Sequence, residues 1–171
     1  MSDNYRKNCF KKILDASSVY DIAIKSPVQF APKLSSKLKN RIYIKREDLQ
    51  PVFSFKLRGA YNKISKIKNP NHIVAASAGN HAQGVALTCK KLKLNSTIVM
   101  PLTTPSIKVN AVKKHGTKII LHGDTYDEAY QYAIKYSKKH NFNFVHPYDD
   151  IDVIAGQGTI GIEILDQLKE H

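Results

Sequence analysis

Hydrophobic and polar residues alternate in blocks between residues 72 and 147, and these blocks predict strands and helices in turn. Four short apolar runs have the length of buried strands: "HIVAAS" (72–77), "STIVMP" (96–101), "TKIILHG" (117–123) and "FNFVHP" (142–147). Helical stretches follow the first three runs, at residues 79–94, 104–116 and 124–140. Short strands that alternate with helices predict an α/β fold, in which an open parallel sheet carries helices on both faces.

The predicted helices carry signals of their own. Val85, Leu87 and Leu92 give the first helix an apolar side, and Gly116 follows the end of the second. Asp124 is expected to open the third helix, whose last residues are basic, as the helix dipole prefers.

The chain outside this unit follows a different pattern. "NRIYIKRED" (40–48) is predicted to be a strand, and "KLRGAYNKISKIK" (56–68) a helix. A further helix is predicted from residue 156 to 171, with an apolar stripe that has no partner surface in the sequence. The stripe consists of Ile160, Ile164, Leu165 and Leu168. We therefore expect a small α/β domain at residues 52–148, with 1–51 and 149–171 as pieces of a second, truncated large domain.

Composition narrows the class of protein. Hydrophobic residues make up 42% of the chain and charged residues 24%, as in globular proteins, and no apolar run is long enough to span a bilayer. Two cysteines are too few for a disulfide framework, and the first 20 residues lack a secretory signal. We expect a cytoplasmic protein with no membrane partner.

The net charge of +13 raises the question of nucleic-acid binding. Only four of the 27 basic residues are arginine, the residue that contacts phosphates and bases through paired hydrogen bonds. The lysines are scattered along the sequence, and Lys, Asn and Ile share A- and T-rich codons, so compositional drift explains their excess. We expect no nucleic-acid partner, although a non-catalytic module that uses its basic face stays open as an alternative.

The stretch "SAGNHAQG" (77–84) lies where a buried strand is followed by a helix. This position is at the carboxyl edge of a parallel sheet, where ligands of open α/β sheets bind. The first turn of the helix offers unpaired N–H groups, which favour a carboxylate or a phosphate. Composition alone leaves equal room for a plain turn capped by Ser77 or Asn80.

Lys56, in "SFKLRGAY" (54–61), stands between Phe55 and Leu57. A lysine in the first turn of a helix is usually exposed, but these apolar neighbours favour burial. Burial disfavours the ammonium form, and a neutral amine is a nucleophile that bonds to aldehydes. Pyridoxal-phosphate enzymes depend on this chemistry.

"KREDLQPVFSFKLRGAY" (45–61), followed by "SAGNHAQGVA" (77–86), resembles the serine/threonine dehydratase family of pyridoxal-phosphate enzymes. The similarity continues through "IVMPLTTPSIKVNAV", "LHGDTYDEAY" and "VIAGQGT", over residues 27–161, and "QPVFSFKLRGAY" is similar to the biosynthetic threonine dehydratases. The resemblance implies a fold-type-II architecture, like that of the tryptophan synthase β subunit, with pyridoxal 5'-phosphate as cofactor. It also implies an amino-acid substrate: L-threonine is dehydrated and deaminated to 2-oxobutanoate and ammonia, the first step of isoleucine biosynthesis.

The resemblance assigns roles to individual residues. Lys56 is implied to be the catalytic lysine, which carries the cofactor as a Schiff base and abstracts the Cα proton. Phe55 is implied to line the cofactor ring, and Asn80 to hydrogen-bond the ring hydroxyl. The implied substrate-binding residues, which hold the carboxylate, are Ser77, Ala78, Gly79, Asn80 and His81.

Two positions favour elimination over related reactions. Serine racemases, which are similar to this chain, have a serine at the position of Ala78 that acts as a second acid/base group on the opposite face of the substrate. Racemisation needs two opposed groups, so elimination is expected. Leu57-Arg58 also differs from the Asp-Arg that usually follows the lysine of cysteine and threonine synthases. A serine dehydratase-type β-eliminase stays open as an alternative.

The family's glycine-rich loop, which holds the cofactor phosphate, has no counterpart in these 171 residues, since "GQGTIG" (156–161) matches the helix before that loop. Without the loop, several charge-assisted hydrogen bonds of about 1.5–3 kcal/mol each are missing. We therefore expect these residues alone to bind the cofactor weakly and to have little or no dehydratase activity. A homo-oligomer and a complementing second chain both stay open.

Overall fold

The structure is a computed structural model and describes residues 3–169 of the chain. The helices in this part are α1 (Asp3–Leu14), α2 (Pro32–Leu38), α3 (Lys56–Ile64), α4 (Asn80–Leu92), α5 (Ser106–Lys113), α6 (Tyr126–His140) and α7 (Ile151–Gln167). The strands are β1 (Val28–Phe30), β2 (Tyr43–Lys45), β3 (Ile73–Ala76), β4 (Ser96–Met100), β5 (Lys118–Leu121) and β6 (Asn143–Phe144). Short 3-10 helices lie at Ser17–Asp21 and Glu47–Leu49. Within these bounds no helix is long and apolar enough to cross a membrane.

The last four strands form one parallel sheet in the order β5-β4-β3-β6. In its register Ile98 of β4 lies between Ala75 of β3 and Ile119 of β5. β6 pairs with the other side of β3, where the Val145 N–H also donates to the Val74 carbonyl at 2.8 Å. The four predicted strands and the helices between them are present, so the predicted fold class is confirmed.

Successive residues of each strand enter two different cores, because side chains alternate across a sheet. Ile73 belongs to a buried cluster with Val85 of α4, which also includes residues of α5. The next residue, Val74, belongs to a separate buried cluster with Ala129 of α6. Helices therefore cover both faces of the sheet.

The third predicted helix begins one residue later than expected. Thr125, not Asp124, caps α6: the Thr125 hydroxyl accepts from the Glu128 N–H at 3.3 Å. The Glu128 carboxylate in turn accepts from the N–H groups of Thr125 and Asp124, at 3.0 and 2.7 Å. This is a capping box, whose signal is the Thr-x-x-Glu spacing rather than the aspartate.

The last helix begins earlier than predicted. α7 starts at Ile151 rather than at residue 156, because the Asp150 carboxylate accepts hydrogen bonds from the N–H groups of Asp152 and Val153. An aspartate in that role is a strong helix start. Residues 170 and 171 of the predicted helix lie outside the described residues.

The buried side of α7 also differs from the prediction. Its buried residues are Val153, Ala155, Gly156, Thr159 and Glu163. The residues of the predicted stripe do not belong to this buried side: Leu165 is 65% exposed, and the other three members are half-buried. The physical reason is close packing: a Cβ added to Gly156 would lie 2.5 Å from the Arg58 carbonyl of α3, so small residues must face that helix.

The N-terminal elements complete the packing of α7. Ile13 of α1 lies against Gly158: a Cβ added to this glycine would be 2.6 Å from the Ile13 side chain. Lys12 of α1 forms an ion pair with Asp152 of α7 at 3.4 Å. α1 and α3 therefore pack against the small residues of α7 and do not cover the predicted stripe. The strand predicted at 40–48 is the short β2, which pairs antiparallel with β1. The proposed domain boundaries at 52 and 148 stay a prediction.

Candidate active site

Lys56 is the first residue of α3, and its side chain is half-buried. Its Nζ donates a hydrogen bond to the Pro147 carbonyl at 2.8 Å and lies 5.4 Å from the centre of the Phe55 ring. Burial lowers the pKa of Lys56 below the ordinary 10.5. Among residues 3–169 no carboxylate forms a salt bridge with this amine. The site therefore contains a lysine whose charged form is disfavoured.

The turn at 77–79 joins the end of β3 to the start of α4. The Ser77 N–H extends the β3 ladder by donating to the Val99 carbonyl at 3.1 Å, and the Ser77 hydroxyl accepts from the Gly79 N–H at 3.1 Å. No side chain caps α4, and Asn80 is exposed. Ser77 closes the turn through its hydrogen bond with Gly79, but neither Ser77 nor Asn80 caps the first N–H groups of α4. Backbone N–H groups remain to meet an anion.

The starts of α3 and α4 lie against each other. A Cβ added to Gly84 would be 3.2 Å from Leu57 N and Cα and from the Lys56 carbonyl carbon. Lys56 is also near enough to His81 for its charge to contribute to the lowered pKa of that imidazole, which burial chiefly causes. The two stretches that the sequence analysis singled out thus form one site.

His81 is buried in the first turn of α4, with 3% of its surface exposed. Its Nε2 lies 3.2 Å from the Val145 carbonyl, and since a carbonyl only accepts, Nε2 carries the hydrogen. Its Nδ1 is buried without a hydrogen-bond partner in the described part of the chain. Burial lowers the pKa of His81 to about 4, so the ring is neutral near pH 7.

Arg58, two residues after Lys56, is the centre of a buried polar cluster that the sequence analysis missed. Its guanidinium is fully buried and donates to Glu47 at 2.8 and 2.9 Å and to Glu163 at 2.6 and 3.1 Å. Lys45 also pairs with Glu163, at 2.5 Å. Although burial acts in the opposite direction, these hydrogen bonds lower the pKa of Glu163. The cluster ties the segment after β2 and helix α7 to the first turns of α3.

The sequence contained only part of the signal for this cluster. "KRED" (45–48) shows that opposite charges lie close together, but Glu163 follows Arg58 by 105 residues. From the sequence alone, Arg58 is expected at the surface, because the carboxylate of α7 that pairs with it is distant in the chain. Only the structure therefore reveals that this arginine is buried.

The fold also gathers lysines that are scattered in the sequence. Residues 49–123 contain no Asp or Glu, and the exposed lysines at the ends of α3 to α6 and at the start of β5 lie toward the amino edge of the sheet. They are Lys66, Lys68, Lys90, Lys91, Lys93, Lys113, Lys114, Lys118, Lys138 and Lys139. Helix C-termini favour cations, and four helices end near this edge. The helix dipoles therefore favour lysines at this basic edge, which lies opposite the Lys56 site.

The model of one protein family, described as pyridoxal-phosphate dependent enzyme, matches residues 19–171. The chain belongs to this family. Both stretches of the candidate site, 54–61 and 77–84, fall within the matched residues, and the family's name states its cofactor.

The relatives of this chain agree in their names. The chain is 57% identical over 158 residues to a threonine dehydratase of Nicotiana attenuata, covering 91% of the chain and 26% of that protein. It is 50% identical over 163 residues to the L-threonine dehydratase biosynthetic IlvA of Burkholderia multivorans, covering 92% of the chain and 32% of the relative. The resemblance seen in the sequence is confirmed. The chain spans less than a third of the length of these relatives.

A solved structure supports the same conclusion about the fold. The processed form of threonine deaminase isoform 2 from Solanum lycopersicum matches with a TM-score of 0.90 and 49% identity. The match covers 95% of this chain and 46% of the tomato structure. The fold that brings Lys56 next to the 77–84 turn is therefore also the fold of an enzyme named threonine deaminase.

Proposed function

We propose that this chain forms part of an active site that dehydrates and deaminates L-threonine to 2-oxobutanoate and ammonia, with pyridoxal 5'-phosphate as cofactor. The names of the relatives support the substrate. One observation of the structure carries the proposal: a lysine amine with a lowered pKa and no carboxylate partner lies beside a turn with uncapped N–H groups.

The residues present fit the aldehyde end of the cofactor. A carboxylate beside Lys56 would hold it as an ammonium, and among the described residues only the neutral Pro147 carbonyl receives its hydrogen bond. Lys56 would hold the cofactor covalently, with Phe55 along the ring and Asn80 at the ring hydroxyl. When bound, the cofactor withdraws the electrons that are left when a bond at the substrate's Cα breaks.

The chain's own residues would bind the substrate and move the proton. The carboxylate of threonine would be held by the N–H groups of Ala78, Asn80 and His81, as uncapped helix starts hold anions, whereas the N–H groups of Ser77 and Gly79 already donate within the protein. This contact would orient the Cα–H bond toward Lys56, whose amine would be released when the amino group of threonine takes its place on the cofactor and would then abstract the proton. The β-hydroxyl of the substrate then leaves.

Ala78 favours elimination over racemisation in this proposal. Its methyl group has no proton to donate, so the side of the substrate opposite Lys56 receives none from this position. Proton delivery from one side gives elimination of the β-hydroxyl, whereas racemisation requires a second acid on the other side. A serine-specific β-eliminase would use the same groups, and the relative turnover of threonine and serine distinguishes the two.

Site-specific trapping tests the central part of the proposal. The chain is incubated with pyridoxal 5'-phosphate below saturation, reduced with borohydride and mapped by peptide mass spectrometry. We expect the label on Lys56 to exceed that on each of the other 22 lysines. A label that is spread evenly over the exposed lysines would contradict the proposal. A total amount of label that stays the same in Lys56→Ala would also contradict it.

A chimera tests the reaction itself, since the chain spans only part of its relatives. Residues 19–171 replace the matching segment of the tomato threonine deaminase, which is 49% identical. We expect the chimera to form 2-oxobutanoate from threonine faster than pyruvate from serine, and Lys56→Ala in the chimera to abolish both. A preference for serine would favour the alternative eliminase, and racemised substrate without keto acid would contradict elimination.

The cellular setting is part of the same proposal. The word "biosynthetic" in the name of the Burkholderia relative supports a place in isoleucine biosynthesis. A cytoplasmic location and a homo-oligomeric or complemented assembly follow the expectations from the sequence. Fractionation of cells and the mass of the native particle in solution test these two points.

A further inference from the structure

One short segment after β6 contacts both His81 and Lys56. The Val145 carbonyl receives the hydrogen bond from His81 Nε2 at 3.2 Å, and the Pro147 carbonyl receives that from Lys56 Nζ at 2.8 Å. The two carbonyls belong to residues that are two positions apart, and both residues are buried. A shift of the segment at one carbonyl is therefore expected to move the other.

The rest of the segment is held by its own turn and by the sheet. The Val145 N–H donates to the Val74 carbonyl at 2.8 Å, which fixes one end of the segment to β3. Beyond Pro147, the Nδ1 of His146 accepts from the N–H groups of Tyr148 and Asp149, at 3.3 and 2.7 Å. The hydrogen bond from His81 joins this segment to the first turn of α4.

The imidazole of His81 is poorly suited to a role in packing alone. It is buried and neutral, and its Nδ1 has no partner among the described residues. An unsatisfied buried nitrogen destabilises a fold, so an apolar side chain of similar size would serve the core better. The hydrogen bond of Nε2 to Val145 is the interaction that an apolar side chain would not supply.

We propose that His81 is a positioning residue for Lys56: it holds the 145–147 segment so that the Pro147 carbonyl directs the Lys56 amine toward the 77–84 turn. The inference rests on the proposed function, in which this amine receives the cofactor. Without the His81 hydrogen bond, the segment loosens, the Lys56 side chain turns toward water, and the amine is protonated for more of the time near pH 7.

The test measures the reactivity of Lys56 in three variants of the chain. His81→Leu removes the donor but keeps an apolar core, whereas His81→Gln keeps an N–H that can reach Val145. His115→Leu is the matched control, because His115 Nε2 is also buried without a partner, at the far end of α5. The rate of borohydride-trapped labelling of Lys56 by pyridoxal 5'-phosphate is followed from pH 6 to 11, together with urea unfolding.

The expected result separates positioning from structure. Each unit by which the pKa of Lys56 rises lowers the fraction of neutral amine about tenfold near pH 7. We expect His81→Leu to slow Lys56 labelling by at least about fivefold and to move its pH profile upward, in a chain that urea unfolding shows to be folded. We expect His81→Gln and His115→Leu to stay within about twofold of the unchanged chain.

Each other outcome has a definite meaning. If Lys56 of the unchanged chain is labelled no faster than exposed lysines, the proposed function fails and the inference falls with it. If Lys56 is preferred but His81→Leu leaves its rate and pH profile unchanged, only the inference is overturned. Equal slowing in all three variants also overturns it. If His81→Leu does not fold, His81→Gln is compared with His81→Asn, whose shorter amide cannot reach Val145. Equal rates of Lys56 labelling in these two variants overturn the inference.

Discussion

Replacing Arg58 with methionine is expected to destabilise the chain strongly. The substitution removes six hydrogen bonds, made to Glu47, Glu163, Thr159 and the Ile24 carbonyl. It leaves two largely buried carboxylates, with Lys45 as the remaining cation that pairs with Glu163. Removing one partner of a buried ion pair destabilises a protein by about 3–5 kcal/mol.

That loss is large for a domain of this size. Total unfolding free energies are about 5–15 kcal/mol, and 1 kcal/mol corresponds to about 2–4 °C in Tm, so a fall of about 6–20 °C is expected. Arg58→Lys keeps the charge with fewer donors and should lose about 1–3 kcal/mol. Urea unfolding at pH 7, followed by circular dichroism, measures both variants.

The same substitution at an exposed arginine is the control. Arg41 hydrogen-bonds the Tyr43 hydroxyl at the surface, and Arg41→Met should change stability by less than about 1 kcal/mol. A loss for Arg58→Met below about 1 kcal/mol, or equal to that of Arg41→Met, would refute the view that this cluster holds α3 and α7 together.

The cluster also predicts a dependence on pH. The pKa of Glu163 is lowered in the folded chain, so the stabilisation it provides is complete above its ordinary pKa of 4.5 and is lost as the pH falls through the lower, folded value. The difference between the unchanged chain and Arg58→Met should therefore be largest above pH 4.5 and narrow in acid. A difference that grows as the pH falls below 4.5 would contradict this assignment.

Three further predictions concern packing, titration and capping. Gly156→Ala should lower the free energy of unfolding by about 2 kcal/mol or more, because its Cβ would lie 2.5 Å from the Arg58 carbonyl. Gly161 is on the same helix in open space, so Gly161→Ala should raise the free energy of unfolding by about 0.5–1 kcal/mol. Urea unfolding that gives changes of the same sign for both variants would contradict this packing. The pKa of His81 falls from 6.5 to about 4 on folding, so the free energy of unfolding should fall by on the order of 3 kcal/mol between pH 6.5 and pH 4. His81→Leu should lack this loss. Unfolding curves that show equal acid sensitivity of the two chains would disprove the prediction. Thr125→Ala should cost about 1 kcal/mol through the lost cap, and an unchanged Tm would show that the capping box contributes nothing.

The sequence predicted the parallel sheet well because its signals are local. A strand such as β3, buried on both faces, needs only a short apolar run, and the helices between strands have their own periodicity and caps. The proximity of Lys56 to the 77–84 turn was implied by the resemblance to the dehydratase family, because local signals place each stretch at a helix start or a strand end without bringing the two together.

The features that the sequence missed depend on contacts between distant residues. The buried side of α7 carries Gly156 and Glu163 because α3 passes within van der Waals contact and brings the Arg58 guanidinium with it. Hydrophobic periodicity favours the opposite result, since it places isoleucine and leucine inward. A buried ion cluster assembled from three parts of the chain has no local pattern that could reveal it.

The titration of Lys56 Nζ tests the central claim most directly. The lysines are reductively methylated with 13C-formaldehyde, the Lys56 signal is identified by its absence in Lys56→Arg, and its chemical shift is followed by NMR from pH 6 to 12. The structure predicts a pKa below the ordinary lysine value of 10.5, because burial disfavours the ammonium and no carboxylate in the described residues pairs with it. A pKa at or above 10.5 would contradict the account of Lys56 as the reactive amine.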